Sequence, residues 1–361
     1  MTPDDIKGHA KTLGFDLCGI AAAEAHPELG RLREWLDRGY AGEMIYLHKS
    51  AEARADIRNF LSTARSVIVT GTVYYTDDAT AEGSGIARYA WGQDYHIVLA
   101  GRLERLVEWM RETSGERIDA AIFVDKHHVQ ERVFAKHAGI GWIGKNTCLI
   151  NPEIGSWIFL AGVAVSLDLA PDQPVADQCG ACTICLDACP TGALVDAYEL
   201  DATRCISYLT IELDGSIPES QRDSIGNHVF GCDICQDVCP WNLAPLATLD
   251  PVWQPRSQHI ASTASRLWNL SDVELHGLVR GSAMTRTALS RLRRNLAVVI
   301  ANSGDRRGVE VLDRPGSGRR RAAMSAETPL VREHVEWAKK KLAREETPPL
   351  MKATKNDSVS Y

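Results

Sequence analysis

The run QCGACTICLDACP places four cysteines, Cys179, Cys182, Cys185 and Cys189, at spacings of two, two and three, with Pro190 after the last. A second run, GCDICQDVCPWN, adds Cys232, Cys235, Cys239 and Pro240, and Cys205 lies between the two. Two cubane clusters need four thiolates each, and eight thiols meet that need without remainder. In two-cluster ferredoxins the fourth cysteine of such a run crosses to the other cluster. By that logic Cys179, Cys182, Cys185 and Cys239 hold one 4Fe-4S cluster, and Cys189, Cys205, Cys232 and Cys235 hold a second. Zinc is the alternative, but it prefers paired C-x2-C knuckles separated by a longer loop. Three cysteines at two-residue intervals, followed by CP, suit a cluster better. Neighbouring clusters form an electron wire, and a wire ends at a redox centre. The two remaining cysteines, Cys18 in DLCGI and Cys148 in NTCLI, read as small buried hydrophobes.

The 361 residues suggest two or three domains. With 40 basic and 47 acidic side chains the net charge is −7, which by itself gives no sign of a nucleic-acid partner. The distribution does: residues 280–321 hold eleven arginines against Asp305, Glu310 and Asp313. Such a stretch either faces an anionic partner or is a solvated helical face with an arginine loop at Arg319, Arg320 and Arg321. The N-terminus has early acids, no apolar h-region and no twin arginine. The longest apolar run, 157–165, is too short to span a membrane. A cytoplasmic protein is expected, and ten cysteines in a reducing compartment point to metal rather than disulfides.

Thr2-Pro3-Asp4-Asp5 is a helix start, with an N-cap, a proline at N1 and acids in the first turn. Further helices are expected over 29–36, 94–111 and 130–137, and strands over 66–75, 118–124 and 157–165. The predicted class is α+β. The spacing predicts a first domain over 1–170, a cluster module over 171–250 and a helical domain over 251–345, with helices at 288–301 and 329–342. A frayed tail is expected over 346–361. No G-x-G-x-x-G follows a strand, and there is no P-loop. The glycine-rich GIGWIGK (139–145) carries bulky residues and follows a helix, so it misses the dinucleotide fingerprint.

Several stretches together resemble the epoxyqueuosine reductases: RYAWGQDYH (88–96), VDKHHVQERVFAKHAGIGWIGKNTCLI (124–150), both cysteine runs with Cys205, GSAMTRTALSRLRRNLAVVIAN (281–302) and LVREHVEWA (330–338). The resemblance implies an N-terminal cobalamin-binding domain related to reductive dehalogenases, a two-cluster ferredoxin-like module and a HEAT-like helical C-terminus. It also implies the reaction, reduction of the epoxide of epoxyqueuosine to the alkene of queuosine at the wobble position of tRNA. A different cobalamin-dependent reductase, such as a reductive dehalogenase, is the rival reading; a non-catalytic iron–sulfur carrier is another.

The same resemblance implies roles for particular residues. Asp125 is the general acid for the departing oxygen, which calls for a pKa raised by burial. Without the resemblance Asp125 reads as an N-cap for the following helix. Arg54, Leu149, Asn151 and Ser207 lie near cobalamin. The family usually has a small residue and a non-histidine after this aspartate, whereas Lys126, His127 and His128 follow it here. Asp94-Tyr95-His96 begins a D-x-H-x-x-G cobalt-ligand motif, but Leu99 stands at the glycine position, so no histidine ligation is expected. Arg286, Arg291, Arg293 and Arg294 are expected to contact phosphates of the anticodon loop. An external electron donor, such as a flavodoxin or ferredoxin, and a monomeric state complete the expectations.

Overall fold

The computed structural model describes residues 1–78, 83–256, 263–314 and 324–344. The arginine loop at 319–321 and the tail over 346–361 lie outside these described residues. The expected first helix is α1 (Pro3–Thr12), entered through a capping box in which Thr2 and Asp5 satisfy each other's backbone N–H. It leads into a four-stranded antiparallel sheet made of β1 (Leu17–Ala22), β2 (Ser66–Val73), β3 (Ala120–Phe123) and β6 (Ile158–Val165), in the order β1-β2-β6-β3. Two short strands, β4 (Trp142–Ile143) and β5 (Leu149–Ile150), form a hairpin of their own.

The two long strands are apolar almost throughout because both faces of the sheet are covered. On one face α4 (Tyr95–Ser114) and α1 bury Leu99, Leu103, Leu106 and Ile6 against Ile68, Ala161 and Val163. On the other, α5 (Glu131–His137) buries Val133 and Phe134 against Val67, Val69 and Ala164. Between these elements lie α2 (Arg31–Asp37) and α3 (Ile45–Ser50). Strand β1, unforeseen in the sequence, is rich in small residues of low strand propensity. Gly19 within it is needed because a Cβ there would collide with the Ala138 carbonyl at the end of α5.

The cluster segment carries α6 (Ile184–Ala188), α7 (Ile206–Ile211), α8 (Glu219–Arg222) and α9 (Ile234–Asp237). Beyond it the described chain is helical, as the sequence led us to expect, with main helices Leu289–Asn302 and Pro329–Arg344 packed together. Packing crosses both expected boundaries. Asp172 accepts hydrogen bonds from Lys7 Nζ and the Ile20 N–H, and Trp35 Nε1 donates to the Leu200 carbonyl at 2.6 Å. A single core joins Ile206, Leu209 and Phe230 to Leu292, Leu296 and Val331.

Two arginines expected on the surface lie inside this core. Arg293 and Arg294 have 0% exposure. Arg293 donates to the Trp268 and Leu270 carbonyls at 2.8 and 2.6 Å and pairs with Asp272 at 3.0 Å. Arg294 donates to the carbonyls of Leu209, Leu213 and Gly215 at 2.6–2.7 Å. Arg291 bonds the Ile211 carbonyl at 3.0 Å and pairs with Asp214. Helices end with carbonyls that lack intrahelical partners, and a guanidinium brings five donors and a compensating charge to them. These arginines cap the ends of α7 and of the Ala264–Trp268 helix. The expectation that Arg293 and Arg294 touch phosphate is therefore corrected. Part of the arginine excess over 280–321 thus serves the interior of the fold.

Candidate active site

A cavity of about 1050 Å³ opens between α5, the loop before it and the helical region; its lining includes Tyr46, Arg54, Asp125, Glu131, Arg132 and Arg286. Asp125 stands just beyond the end of β3 with φ +47, in the left-handed region that few non-glycine residues occupy. It is not the N-cap of α5; Gln130 occupies that position.

Three donors converge on one oxygen, Asp125 Oδ2. Arg286 Nη1 lies at 2.5 Å, Tyr95 Oη at 3.0 Å and His96 Nε2 at 3.0 Å. His96 is anchored from behind, its Nδ1 2.7 Å from Asp94 Oδ1. Tyr95 and His96 open α4, and Asp94 is its N-cap, accepting from the His96 N–H. Both imidazole nitrogens are thus engaged with carboxylates, which leaves neither for a metal. Arg286 also reaches Glu212 at 3.5 Å. It is a constituent of this site rather than of an external phosphate patch.

The electrostatics reverse one expectation. Burial pushes the Asp125 carboxyl up, but the His96 hydrogen bond and the Arg286 charge outweigh it and hold the acid well below its ordinary range. Burial likewise pushes His96 down, and its bonds to Asp125 and Asp94 outweigh that, so the imidazole is held protonated above its ordinary range. The expected raised pKa at Asp125 is corrected: the apolar surroundings are overruled by three donors. Glu131, six residues on, behaves oppositely. Burial, with the neighbouring charge of Asp125, pushes its carboxyl up to about 8. The two carboxyls of this cavity are thus driven apart, Asp125 toward the ionised form and Glu131 toward the protonated one.

Arg54 lines the cavity as expected, and it also holds structure, donating to Ser50 Oγ at 2.9 Å and to the Val129 carbonyl at 3.2 Å. A second cavity of about 350 Å³ includes Leu149 and Ser207 in its wall beside Cys189, Cys205, Cys232 and Cys235. Arg132 and Thr147 line both cavities and are bonded to each other at 2.6 Å, so the two spaces adjoin. Asn151 lines neither. Its amide bonds the Ile140 carbonyl and its oxygen accepts from Glu153 and Ile154, so it builds a turn.

The cysteines fall into two neighbourhoods. Cys185 feels the charges of Cys239 and Cys179, and Cys239 those of Cys179 and Cys182. Cys232 and Cys235 instead feel Cys205, and Cys232 also feels Cys189. Cys148 adds to both neighbourhoods, acting on Cys239 as well as on Cys235. Among the described residues no three His, Cys, Asp or Glu side chains are gathered as a single ion would require. Cys18 packs as expected, its thiol pushed up to about 12 by burial. Cys148 differs from its reading as simple core. It stands with Cys235 in the wall of the second cavity. Its apolar sequence neighbours gave no hint of that placement.

An epoxyqueuosine reductase of Leadbetterella byssophila is 41% identical over 297 residues, 82% of this chain and 97% of that protein. The chain belongs to the epoxyqueuosine reductase family. A family model described as epoxyqueuosine reductase QueG, DUF1730, matches residues 54–126, and one for a 4Fe-4S double cluster binding domain matches residues 178–242. A solved epoxyqueuosine reductase with a tRNA-Tyr epoxyqueuosine-modified tRNA stem loop superposes with a TM-score of 0.82 at 30% identity, covering 94% of this chain and 89% of that one. A Bacillus subtilis epoxyqueuosine reductase, whose catalytic aspartate loop is swung out of the active site, superposes with the same score, identity and coverage of this chain, and with 90% of its own. Membership of this family favours epoxyqueuosine chemistry over the dehalogenase and carrier readings, and the double-cluster match favours iron–sulfur over zinc. Among the described residues no helix is long and apolar enough to cross a membrane. The residues that sequence reading missed at this site are Tyr95, Glu131 and, as a partner of Asp125, His96. The D-Y-H triplet before a helix was the available signal, read only as a failed cobalt-ligand motif.

Proposed function

We propose that this chain reduces epoxyqueuosine to queuosine at the wobble position of tRNA, drawing electrons through two 4Fe-4S clusters to cobalamin. The observation that carries the reading is the triply held Asp125 at the floor of a large cavity that adjoins a cavity walled by cluster cysteines. The larger cavity stands at the upper end of the range for small-molecule sites, and its neighbour brings Leu149 and Ser207 beside the second set of cysteines. These residues fit a large cofactor placed at the end of an electron wire. Cobalamin, when bound, supplies the electrons that break the epoxide carbon–oxygen bonds.

Opening an epoxide to an alkene takes two electrons and two protons and releases water. The chain's part is to deliver protons and exclude stray ones. Asp125 begins ionised, so the proton that it hands to the departing oxygen comes from His96 through Nε2, with Asp94 stabilising the imidazolium. Arg286 and Tyr95 keep the carboxylate aimed while it is empty. In the Bacillus subtilis relative the aspartate loop is swung out of the site; movement of the turn at Asp125 would open this site in the same manner.

We assign Cys179, Cys182, Cys185 and Cys239 to the outer cluster and Cys189, Cys205, Cys232 and Cys235 to the one beside the cavity. The N-terminal sheet domain is read as the cobalamin-binding domain and the C-terminal helices as a HEAT-like scaffold for tRNA. With Arg293 and Arg294 internal, the exposed cations lining the cavity, Arg31, Lys126 and Arg132, are the side chains available to phosphates. A cobalt site buried in such a cavity requires the modified base to be extruded from its stack. A monomer working in the cytoplasm, where tRNA is modified, and fed by a flavodoxin or ferredoxin completes the reading. Nucleoside mass spectrometry on tRNA from a strain lacking the gene tests it. Epoxyqueuosine is expected to accumulate and queuosine to vanish; unchanged queuosine would overturn the reading.

A further inference from the structure

Residues 124–127 form a tight turn with an unusual set of fastenings. The Val124 N–H donates to His127 Nδ1 at 3.1 Å, and the Asp125 N–H donates to Glu131 Oε1 at 2.5 Å. Successive backbone donors of a turn normally find carbonyls or water. Here both find side chains from within the next six residues. The second of these donors, Asp125, sits at φ +47, which disfavours a side chain by roughly 1–2 kcal/mol unless its surroundings compensate. His127 is wedged edge-on against Phe60, with ring centroids 5.7 Å apart, and Phe60 packs in the same manner on Phe123 of β3. Glu131 is the first residue of α5, rooted by Val133 and Phe134 in the core. Both acceptors are thus tied to rigid elements, one on each side of the turn.

We propose that Glu131 and His127 are positioning residues for Asp125, together locking the 124–127 turn in the left-handed form that presents its carboxyl to the cavity. The proposal rests on the reading of Asp125 as the proton donor to the epoxide oxygen, and it goes beyond that reading by naming what holds the donor in place. His127 brings to the turn a side-chain acceptor that meets the Val124 N–H. Glu131 is fitted to the task in charge as well as in place. A second anion would repel Asp125, and burial keeps Glu131 neutral up to about pH 8. The charged groups facing Glu131 are Asp125, Arg54 and Arg132.

The test compares paired substitutions in cluster- and cobalamin-loaded enzyme acting on an epoxyqueuosine-bearing tRNA stem loop. Glu131→Gln keeps the acceptor and Glu131→Ala removes it; His127→Asn places an amide oxygen near the position of Nδ1, and His127→Leu does not. A misplacement of about 1 Å costs about 10²-fold in rate. Glu131→Ala and His127→Leu are therefore expected to lower kcat by about that factor while KM for the stem loop stays within about threefold. The conservative partners are expected to recover most of the loss. Equal kcat in all four variants and the unsubstituted protein would overturn the proposal, as would Gln and Asn variants as impaired as Ala and Leu. If Glu131→Ala does not fold, the His127 pair decides alone. Absence of turnover in the unsubstituted, fully loaded protein would instead count against the functional reading.

Discussion

The cluster segment and the Asp125 cavity are built on opposite plans. In the first, spacing along the chain does most of the work. Seven of its eight thiols come from two short runs; in the assignment we propose, only Cys205 and the exchange of Cys189 and Cys239 reach across the segment. In the second, almost nothing is local. Asp125 meets Tyr95 and His96 from 30 and 29 residues away and Arg286 from 161 residues away, so the carboxylate's state exists only when three parts of the chain are folded together. A local motif can be recognised before folding, whereas a convergent one is visible only after it.

The largest test of that contrast removes a crossing thiolate. Cys189→Ala is expected to empty the site of Cys205, Cys232 and Cys235, spare the site of Cys179, Cys182 and Cys185, and abolish turnover; about half of the iron should remain. Loss of iron from the run that contains Cys189 would break the crossed assignment. Next in size is Arg286→Met, which takes a charge-assisted donor from Asp125. Turnover is expected to fall by about 10²-fold, with iron content unchanged. An Arg286 variant that loses iron instead would merge the two regions that the contrast separates.

A pH profile sharpens the same point. His96 is held protonated above its ordinary value near 6.5 by two carboxylates, so turnover is expected to fall as pH rises through that raised value. The sign holds for stability also. The His96 contribution is full below about pH 6.5 and lost above the raised value. The Asp125 contribution runs the other way, present at neutral pH and lost only as pH falls through its depressed value. His96→Asn should abolish the alkaline limb of turnover; an unaltered limb would remove His96 from the proton path. Smallest for catalysis is Arg294→Met. It strands carbonyls at the end of α7 and should destabilise the fold by about 3 kcal/mol, read as a shifted denaturant midpoint. The salt dependence of tRNA binding should not change, because Arg294 is not a phosphate contact.

The sequence was legible wherever a pattern repeats within a few residues. The capping box at Thr2, the continuous apolar runs of β2 and β6 and the helices over 289–302 and 329–344 all follow from local chemistry. Strand β1 was not legible because Gly19 and its alanines serve close packing rather than strand propensity. Arg293 and Arg294 misled because an arginine's spacing on a helix does not reveal whether carbonyls or water await it. Asp125 was found through resemblance, but its charge state was not. That state depends on Arg286, which charge counting had assigned to a surface.

The most direct measurement is single-turnover conversion of an epoxyqueuosine-bearing tRNA stem loop by the reduced, cobalamin-loaded protein, set beside its Asp125→Asn variant. The account predicts queuosine from the first and a loss of about 10²–10⁴-fold in the second, with cobalamin and stem-loop binding retained. Equal rates in the two proteins would contradict it.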